Sequence, residues 1–260
     1  LITFAIPSYN SQDYLSRCVD SLLSGGEDVE ILIVNDGSTD NTLEIAKHYA
    51  RLDPEHVVLI ENEKNMGLNY TLNHCLRVAR GRYIARMDGD DRSLPHRFQT
   101  EVDFLDSHPE FAFVSANLEI FDESGVWGRT NFPAAPQPAD LVTKRCFSHS
   151  ACMVRKSVFD EVDGYSEGKW LMRVEDAHLW YKIYKAGYRG ANLPDILYSY
   201  RDDLNGYRKR KLRYRFNGTY VSWLTIREFR LNPLLYIRAL RPILVGLLPM
   251  PLYVLLHKRK

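Results

Sequence analysis

Short apolar, β-branched segments alternate along the first third of the chain with segments of helical periodicity. The apolar segments are "ITFAI" (2–6), "EILIVN" (30–35), "VVLIE" (57–61) and "YIARM" (83–87). Between them, apolar side chains recur three and four residues apart, as at Leu15, Cys18 and Leu22, which is the spacing of one helix face. Because strands that alternate with single helices need crossover connections, we predict an α/β fold whose mostly parallel sheet is flanked by helices.

Polar motifs follow three of the predicted strands directly. They are "PSYN" (7–10), "NDGSTD" (35–40) and "DGDD" (88–91). In an open α/β sheet, ligands bind outside the carboxyl ends of the strands. We therefore expect these three motifs to meet at one edge of the sheet and to form a binding site there.

The pattern changes after residue 122. The segment "FPAAPQPAD" (132–140) is typical of a proline-rich loop, and "EDAHLWYKIYKAG" (175–187) predicts a helix that ends near Gly187. There is no internal repeat and no long low-complexity tract. The region after residue 122 is thus predicted to be mixed rather than regularly alternating.

The formal charge is distributed unevenly along the chain. Residues 201–260 contain 14 Lys+Arg and 3 Asp+Glu, so the other 200 residues carry a net charge of −10. The basic segment "RKRKLRYR" (208–215) precedes an apolar run from Pro242 to Leu256, which is too short to span a bilayer and contains Pro249 and Pro251. We predict a helical, basic extension that lies on an anionic membrane surface. Packing of these helices on the preceding part of the chain or on a second subunit is the alternative, whereas no nucleic-acid module is recognisable.

The four cysteines show no zinc-binding or redox spacing. Cys18 and Cys75 fall on the apolar faces of predicted helices, as reduced core thiols do. No basic and apolar leader is seen before the first strand. We therefore expect a cytoplasmic protein.

Three carboxylates in four residues, Asp88, Asp90 and Asp91, are costly to hold together unless they are solvated or bind a cation. A calcium loop of the EF-hand type is excluded because Ser93 and Gln99 occupy the positions that need Gly and Glu. Two interpretations remain on the residues alone. One is a solvated turn that caps the next helix, and the other is a Mg²⁺ or Mn²⁺ site completed by substrate phosphates.

Five motifs in one order, taken together, resemble those of the family 2 inverting glycosyltransferases, which are nucleotide-sugar-dependent enzymes of the GT-A fold. They are "IPSYN" (6–10), "VNDGSTDNT" (34–42), "NMGL" (65–68), "DGDD" (88–91) and "EDAHLW" (175–180). The resemblance covers roughly residues 1–200. It implies a GT-A, Rossmann-like catalytic domain over residues 1–206, with a nucleotide-binding half (1–121), an acceptor half (122–206) and a tail (207–260).

The resemblance also implies roles for residues at the nucleotide end. Tyr9 would stack on the base, and Pro7 would set the turn that presents it. Asp36 would accept a hydrogen bond from a uracil ring, as a carboxylate can. Lys64 and Asn65 fall where the family places further nucleotide contacts.

For the cation, the resemblance makes Asp90 a ligand of Mn²⁺ or Mg²⁺ and lets Asp88 contact the ribose or share the metal. Asp91 would support the loop. Many relatives have a His after a Tyr-Arg pair, but here Asp202 follows Arg201, which leaves the third protein ligand open. Arg201 itself would contact the diphosphate.

At the acceptor end, the resemblance makes Asp176 the general base, and Glu175 and Trp170 would shape the acceptor pocket. The implied reaction moves a sugar, most often from a UDP-sugar, to a hydroxyl of a glycan or lipid-linked acceptor in bacterial surface polysaccharide synthesis. A homo-oligomer and a peripheral position on the inner face of the membrane are compatible with it. A sugar-1-phosphate nucleotidyltransferase is disfavoured because "PSYNSQDY" is not a glycine-rich basic loop, and a non-catalytic nucleotide- or glycan-binding module is the other alternative.

Overall fold

A single nine-stranded sheet, covered by helices on both faces, organises the protein. The computed structural model describes residues 1–24, 28–202 and 212–247. The strands are β1 (Ile2–Ser8), β2 (Val29–Asn35), β3 (Val57–Glu61), β4 (Tyr83–Arg86), β5 (Arg92–Ser93), β6 (Phe111–Asp122), β7 (Gly125–Arg129), β8 (Met153–Arg155) and β9 (Arg189–Arg201). The α-helices are α1 (Leu15–Leu23), α2 (Thr42–Leu52), α3 (Leu68–Val78), α4 (Arg97–Ser107), α5 (Pro138–Thr143), α6 (Lys156–Glu161), α7 (Glu175–Lys185), α8 (Leu212–Glu228), α9 (Leu235–Arg238) and α10 (Arg241–Gly246).

The sheet has the strand order β3-β2-β1-β4-β8-β6-β9-β5, and β7 pairs with β6. The first four strands of this order are parallel, as the alternation of strands and helices predicted. Beyond β4 the sheet is mixed, because β8 runs antiparallel to both β4 and β6 while β6 and β9 are parallel. The parallel prediction thus holds for the regularly alternating part of the chain, where each crossover is a helix.

Alternating side chains on β1 and β2 connect the sheet to two separate apolar cores. Phe4 and Ile6 point to the core that contains α1, α2 and α4, whereas Ala5 lies in the core that contains α3, α6 and α7. These strands are apolar on both faces because helices cover both. The buried scaffold holds the carboxyl ends of β1, β2 and β4 side by side at one edge.

Residues 132–140 are not a loop throughout. The loop ends at Gln137, and α5 begins at Pro138. A capping box between Gln137 and Asp140 starts this helix, and a proline is tolerated in the first helical turn because its missing N–H has no acceptor there. The proline-rich composition therefore hid a short helix.

The C-terminal helices pack on the catalytic region. Val221 of α8 is buried against Val174 and Tyr181, and the Asn217 side chain donates hydrogen bonds to the backbone carbonyls of Lys169 (3.3 Å) and Met172 (2.9 Å). No helix in the described ranges is both long enough and apolar enough to cross a bilayer. Asp203, the start of the predicted basic segment and both prolines of the apolar run lie outside the described residues.

Candidate active site

The two turns that follow β1 and β2 interlock. The backbone N–H of Asn10 donates to Ser38 Oγ (3.1 Å), and the N–H of Thr39 donates to Asn10 Oδ1 (2.9 Å). The N–H of Ser11 donates to Thr42 Oγ1 at 2.7 Å. The motifs "PSYN" and "NDGSTD" therefore form one rigid surface, which confirms that they meet at one edge.

Tyr9 stands exposed on this surface. Its side chain is 48% exposed although its neighbour Ser8 is buried. Pro7 lies within β1, where it is paired with Val34 of β2. An exposed aromatic ring on a rigid turn is a suitable platform for a planar base, so the structure is compatible with the predicted stacking role of Tyr9.

Asp36 is a buried carboxylate that organises the next loop. Its Oδ1 accepts hydrogen bonds from Asn62 Nδ2 (2.8 Å) and the backbone N–H of Met66 (2.8 Å), and its Oδ2 accepts one from Gly67 N–H (3.0 Å). A carboxylate has about four acceptor positions, so a base could still contact Asp36. This predicted contact remains a prediction, whereas the structural role is plain.

At Gly37, this turn packs closely against the segment that contains Lys64 and Asn65. Its φ is +68°, and a Cβ at this position would lie 2.5 Å from the carbonyl carbon of Lys64 and 2.6 Å from the backbone nitrogen of Asn65. The absence of a side chain therefore brings Lys64 and Asn65 beside Asp36. The three predicted nucleotide contacts thus lie in one place.

In the DGDD loop, Asp91 is a structural residue. It is 1% exposed, and its carboxylate accepts hydrogen bonds from Tyr198 Oη (2.8 Å) and the backbone N–H of Arg201 (2.7 Å), both on β9. Burial raises the pKa of Asp91 well above its usual range, with Asp88 and Asp90 adding to the effect. Asp91 ties the loop to β9, in agreement with the supporting role expected for it.

Asp88 forms an ion pair with Arg86, a residue of β4 that lies outside the five family motifs. Arg86 Nη1 donates to Asp88 Oδ2 at 2.9 Å, and Nη2 contacts Oδ1. Side chains two apart on an extended segment point to the same face, so the spacing itself was a usable signal. Tyr198, which bonds Asp91 from 107 positions away, had no such local signal.

Asp90 is the carboxylate of this loop that remains available. No other residue in the described part of the chain donates a hydrogen bond to it, and burial, followed by the Asp88 charge, raises its pKa to about 6. Within the described ranges, no group of three or more His, Cys, Asp or Glu side chains has the arrangement of a metal site. A small divalent cation needs only one or two protein carboxylates when phosphate oxygens and water complete its shell, so Asp90 and its neighbour Asp88 fit such a cation.

Glu175 and Asp176 lie in the first turn of α7. Burial, then the Asp176 carboxylate, raises the pKa of Glu175 to about 7, while the charges of Arg86 and Arg173 oppose the rise. Arg86 therefore acts electrostatically on both Asp88 and Glu175. Asp176 Oδ1 accepts a hydrogen bond from Ala177 N–H (2.7 Å), as acids in a first helical turn do.

A cleft of about 100 Å³ opens beside Asp176. Its walls come from three elements: Trp180 of α7, Arg145 and Phe147 after α5, and Ser222 of α8. An aromatic wall with hydroxyl and charged groups is suited to a sugar. The contribution of α8 was missed because its sequence is typical of a membrane-associating tail.

Trp170 and Arg201 lie outside this cleft. Trp170 is 65% exposed on a short turn and does not line the cleft. The Arg201 guanidinium carbon lies 4.1 Å from the centroid of the Tyr14 ring, and Arg201 also pairs with Glu123. The predicted acceptor contact of Trp170 and diphosphate contact of Arg201 remain predictions.

Comparison with known proteins assigns a family to this arrangement. The family model described as glycosyl transferase family 2 matches residues 3–163. EpsE of Bacillus subtilis, a protein named as a glycosyltransferase, is 34% identical over 253 residues, which cover 97% of this chain and 91% of EpsE. The amylovoran biosynthesis glycosyltransferase AmsE of Erwinia amylovora is 31% identical over 217 residues, or 81% of this chain and 80% of AmsE.

Solved structures share the same architecture. The TarS 1-349 structure from S. aureus in complex with UDP-GlcNAc has a TM-score of 0.70 at 19% identity, covering 95% of this chain and 71% of that one. The mannosyltransferase PcManGT from Pyrobaculum calidifontis, in complex with GDP-Man and Mn²⁺, has a TM-score of 0.69 at 19% identity over 99% of this chain and 79% of that one. At this identity the similarity establishes the fold.

Proposed function

The chain belongs to glycosyl transferase family 2 and is a glycosyltransferase of the GT-A fold, and from this premise we propose that it transfers one sugar from a nucleotide-sugar donor, a UDP-sugar, to a hydroxyl with inversion. One observation carries the proposal: Arg86, which pairs with Asp88 in the DGDD loop, also acts to lower the pKa of Glu175, the residue before Asp176. This common neighbour supports a donor site and a base that act on the same sugar.

At the donor end, Tyr9 stacks on the base and Pro7 fixes the turn that carries it. Asp36 accepts a hydrogen bond from the base, and Lys64 and Asn65 line the same side. The support is the exposure of Tyr9 and the close packing of Gly37 on the Lys64–Asn65 backbone.

At the diphosphate, Asp90 holds a Mn²⁺ or Mg²⁺ ion and Asp88 lies towards the ribose and the metal. When bound, such a cation neutralises the charge that builds on the departing nucleoside diphosphate. Arg201 adds a positive charge on the same side. The availability of the Asp90 carboxylate supports this assignment.

At the acceptor end, Asp176 accepts the proton of the attacking hydroxyl. The acceptor lies in the cleft beside Trp180 and Ser222, and Glu175 and Trp170 contact the parts of the acceptor that extend beyond this cleft. Attack from the side opposite the leaving group inverts the configuration of the sugar carbon. A carboxylate within hydrogen-bond reach of the hydroxyl is the requirement for this general base.

The acceptor is a glycan or lipid-linked intermediate of surface polysaccharide synthesis, and the protein works on the inner face of the cell membrane. Exposed apolar side chains crowd the C-terminal helices: Phe216, Tyr220, Trp223, Leu234, Ile237, Leu244 and Leu247. Arginines such as Arg213, Arg230 and Arg241 lie among them in the sequence. Apolar and basic groups together are suited to an anionic lipid surface, and the name of AmsE refers to the biosynthesis of amylovoran.

Substitution of Asp176 by Asn tests the assignment of the base. A nucleotide-sugar screen that follows nucleoside diphosphate release, with Mn²⁺ or Mg²⁺ and with a chelator, first identifies the donor. Asp176→Asn should then reduce transfer at least about 100-fold, as expected for loss of a general base, while binding of the nucleotide is retained. Unchanged turnover in this variant would refute the role of Asp176, and release unaffected by the chelator would refute the metal.

A further inference from the structure

Arg86 is a buried cation at the end of β4. Its side chain is in direct contact with Asp88, with Nη1 donating to Oδ2 at 2.9 Å and Nη2 contacting Oδ1. Arg86 as a whole is only 8% exposed. Both carboxylate oxygens of Asp88 are therefore engaged by one planar guanidinium, an arrangement that fixes the orientation of both groups.

On the side of Arg86 that faces away from Asp88, none of the residues that line the adjoining cavity is an acid that could compete for the guanidinium. Its Nε is buried and has no hydrogen-bond partner among the residues that the structure describes, and Arg86 borders a cavity of only about 10 Å³. His149 and Tyr165 are the other polar side chains that line this cavity, and they bond each other at 2.8 Å. A cavity of this size has room for at most one water, so it is not a substrate site.

The three carboxylates of the loop are consequently in three different states. Asp91 is held by Tyr198 and the Arg201 backbone, and Asp88 is paired with Arg86. Asp90 has no such partner among the described residues. The repulsion expected from three adjacent acids is thus reduced by a cation supplied from two residues upstream.

We propose that Arg86 is a positioning residue that neutralises Asp88 and holds its carboxylate in place, so that Asp90 is the single carboxylate offered to the divalent cation. This inference rests on the proposed function and refines it: Asp88 contributes its orientation on the nucleotide side and is not a metal ligand. When no cation is bound, Arg86 keeps the loop from carrying an excess of negative charge.

Binding of Mn²⁺ alone to the full chain measures the charge effect. Mn²⁺ is titrated and followed by water-proton relaxation for the wild type, Arg86→Met, Asp88→Asn and the double variant. Arg86→Met should bind Mn²⁺ about tenfold more tightly, because a positive charge a few ångströms from Asp90 is removed. Asp88→Asn should bind more weakly by a similar factor, because Arg86 is then unbalanced.

The double variant Arg86→Met/Asp88→Asn distinguishes charge from ligation. It has the same net charge as the wild type, so its Mn²⁺ affinity should return to within about threefold of the wild-type value. If Asp88 is a metal ligand, the double variant will instead lose at least about tenfold in affinity, and the inference is overturned. Unchanged or weaker Mn²⁺ binding by Arg86→Met overturns it as well.

Arg86→Lys tests the positioning role and guards against misfolding of the Met variant. Lys keeps the charge but cannot form the two parallel hydrogen bonds. It should bind Mn²⁺ like the wild type and yet lower kcat/KM for the identified donor at least about tenfold, with an unchanged melting temperature. Full kcat/KM in this variant overturns the positioning role. If the wild type binds no Mn²⁺, with or without UDP or GDP, the proposed metal site itself fails and the inference falls with it.

Discussion

Individual residues in this site have roles that their chemical type alone does not distinguish. Asp88, Asp90 and Asp91 are the same amino acid within four positions, but one pairs with an arginine, one is available and one is buried under β9. The partners of each side chain make the difference. Burial without a partner would have been too costly for Asp91, and the two β9 donors reduce that cost.

Gly37 provides a test of close packing at the residue scale. Gly37→Ala places a methyl group 2.5 Å from the Lys64 backbone at a φ of +68°, so we expect it to destabilise the fold by about 1–3 kcal/mol and to raise KM for the donor. Urea denaturation and donor kinetics measure the two effects.

Gly125→Ala is the matched control for that substitution. Gly125 also has a positive φ, +113°, but no atom lies within 4 Å of the position that the added methyl group would occupy. It should cost less stability and leave KM unchanged. A KM for the donor that is unchanged in Gly37→Ala, together with a loss of stability no larger than that of Gly125→Ala, would contradict the role of this packing.

Glu175 makes the stability of the protein depend on pH. Its folded-state pKa is raised to about 7 from 4.5, chiefly by burial, so the folded state binds the proton more tightly than the unfolded chain does. The resulting stability is fully present below pH 4.5 and is lost as the pH rises towards 7. Glu175→Gln cannot ionise, so its melting temperature should fall less than that of the wild type between about pH 5 and about pH 8.

The exposed Glu110 supplies the control for this experiment. Glu110→Gln should give a curve of melting temperature against pH that runs parallel to the wild-type curve. If the Glu175→Gln curve is parallel as well, burial of Glu175 does not contribute to the pH dependence.

At the scale of elements, α8 joins the catalytic region rather than standing apart from it. Its buried side packs on α7 through Val221, Asn217 anchors the turn that carries Trp170, and Ser222 lines the cleft. The opposite side exposes Phe216, Tyr220 and Trp223. One helix therefore connects the proposed acceptor cleft with the proposed membrane surface.

Substitution of Val221 tests this packing. Val221→Ala should destabilise the protein by about 1–3 kcal/mol, because a side chain that is 2% exposed loses its contacts with Val174 and Tyr181. Tyr220→Ala, on the exposed side of the same helix, should change stability much less. If chemical denaturation gives the same midpoint for Val221→Ala and the wild type, α8 does not dock as described.

At the scale of the whole molecule, charge is segregated between an acidic body and a basic C-terminal region. Residues 201–260 carry a net charge of +11 against −10 for the rest. An anionic lipid surface attracts the basic region and repels the acidic body, so the charge distribution would orient the molecule as well as bind it. The apolar side chains of α9 and α10 would then enter the interface.

Cosedimentation with phosphatidylglycerol vesicles tests the orientation. Leu234→Ser/Ile237→Ser should weaken binding at least about tenfold because two exposed apolar side chains no longer enter the lipid. Added salt should weaken binding by the wild type, since it screens the basic groups. Val126→Ser, at an exposed apolar position in β7, should bind normally. Equal binding by all variants at all salt concentrations would contradict the membrane proposal.

Local patterns in the amino-acid sequence were enough to predict the order of strands and helices in the first half of the chain. They also placed the polar motifs at the strand ends. Both predictions were possible because periodicities of two and of three to four residues are local properties. The local patterns also indicated the family, since five motifs in order are specific together. Domain limits and the roles of individual site residues remain predictions. The β6–β9 pairing and the entry of β8 between β4 and β6 had no comparable local signal.

Only the folded chain shows which acids are paired, which are buried and which are available. Tyr198 and Arg201 donate hydrogen bonds to Asp91 from about 110 positions away along the chain. The positive charge of Arg86 acts on both Asp88 and Glu175. The placement of α8 along the cleft beside Asp176 is likewise a product of the fold. The physical reason is that these relations depend on packing between distant segments, so no spacing within one segment records them.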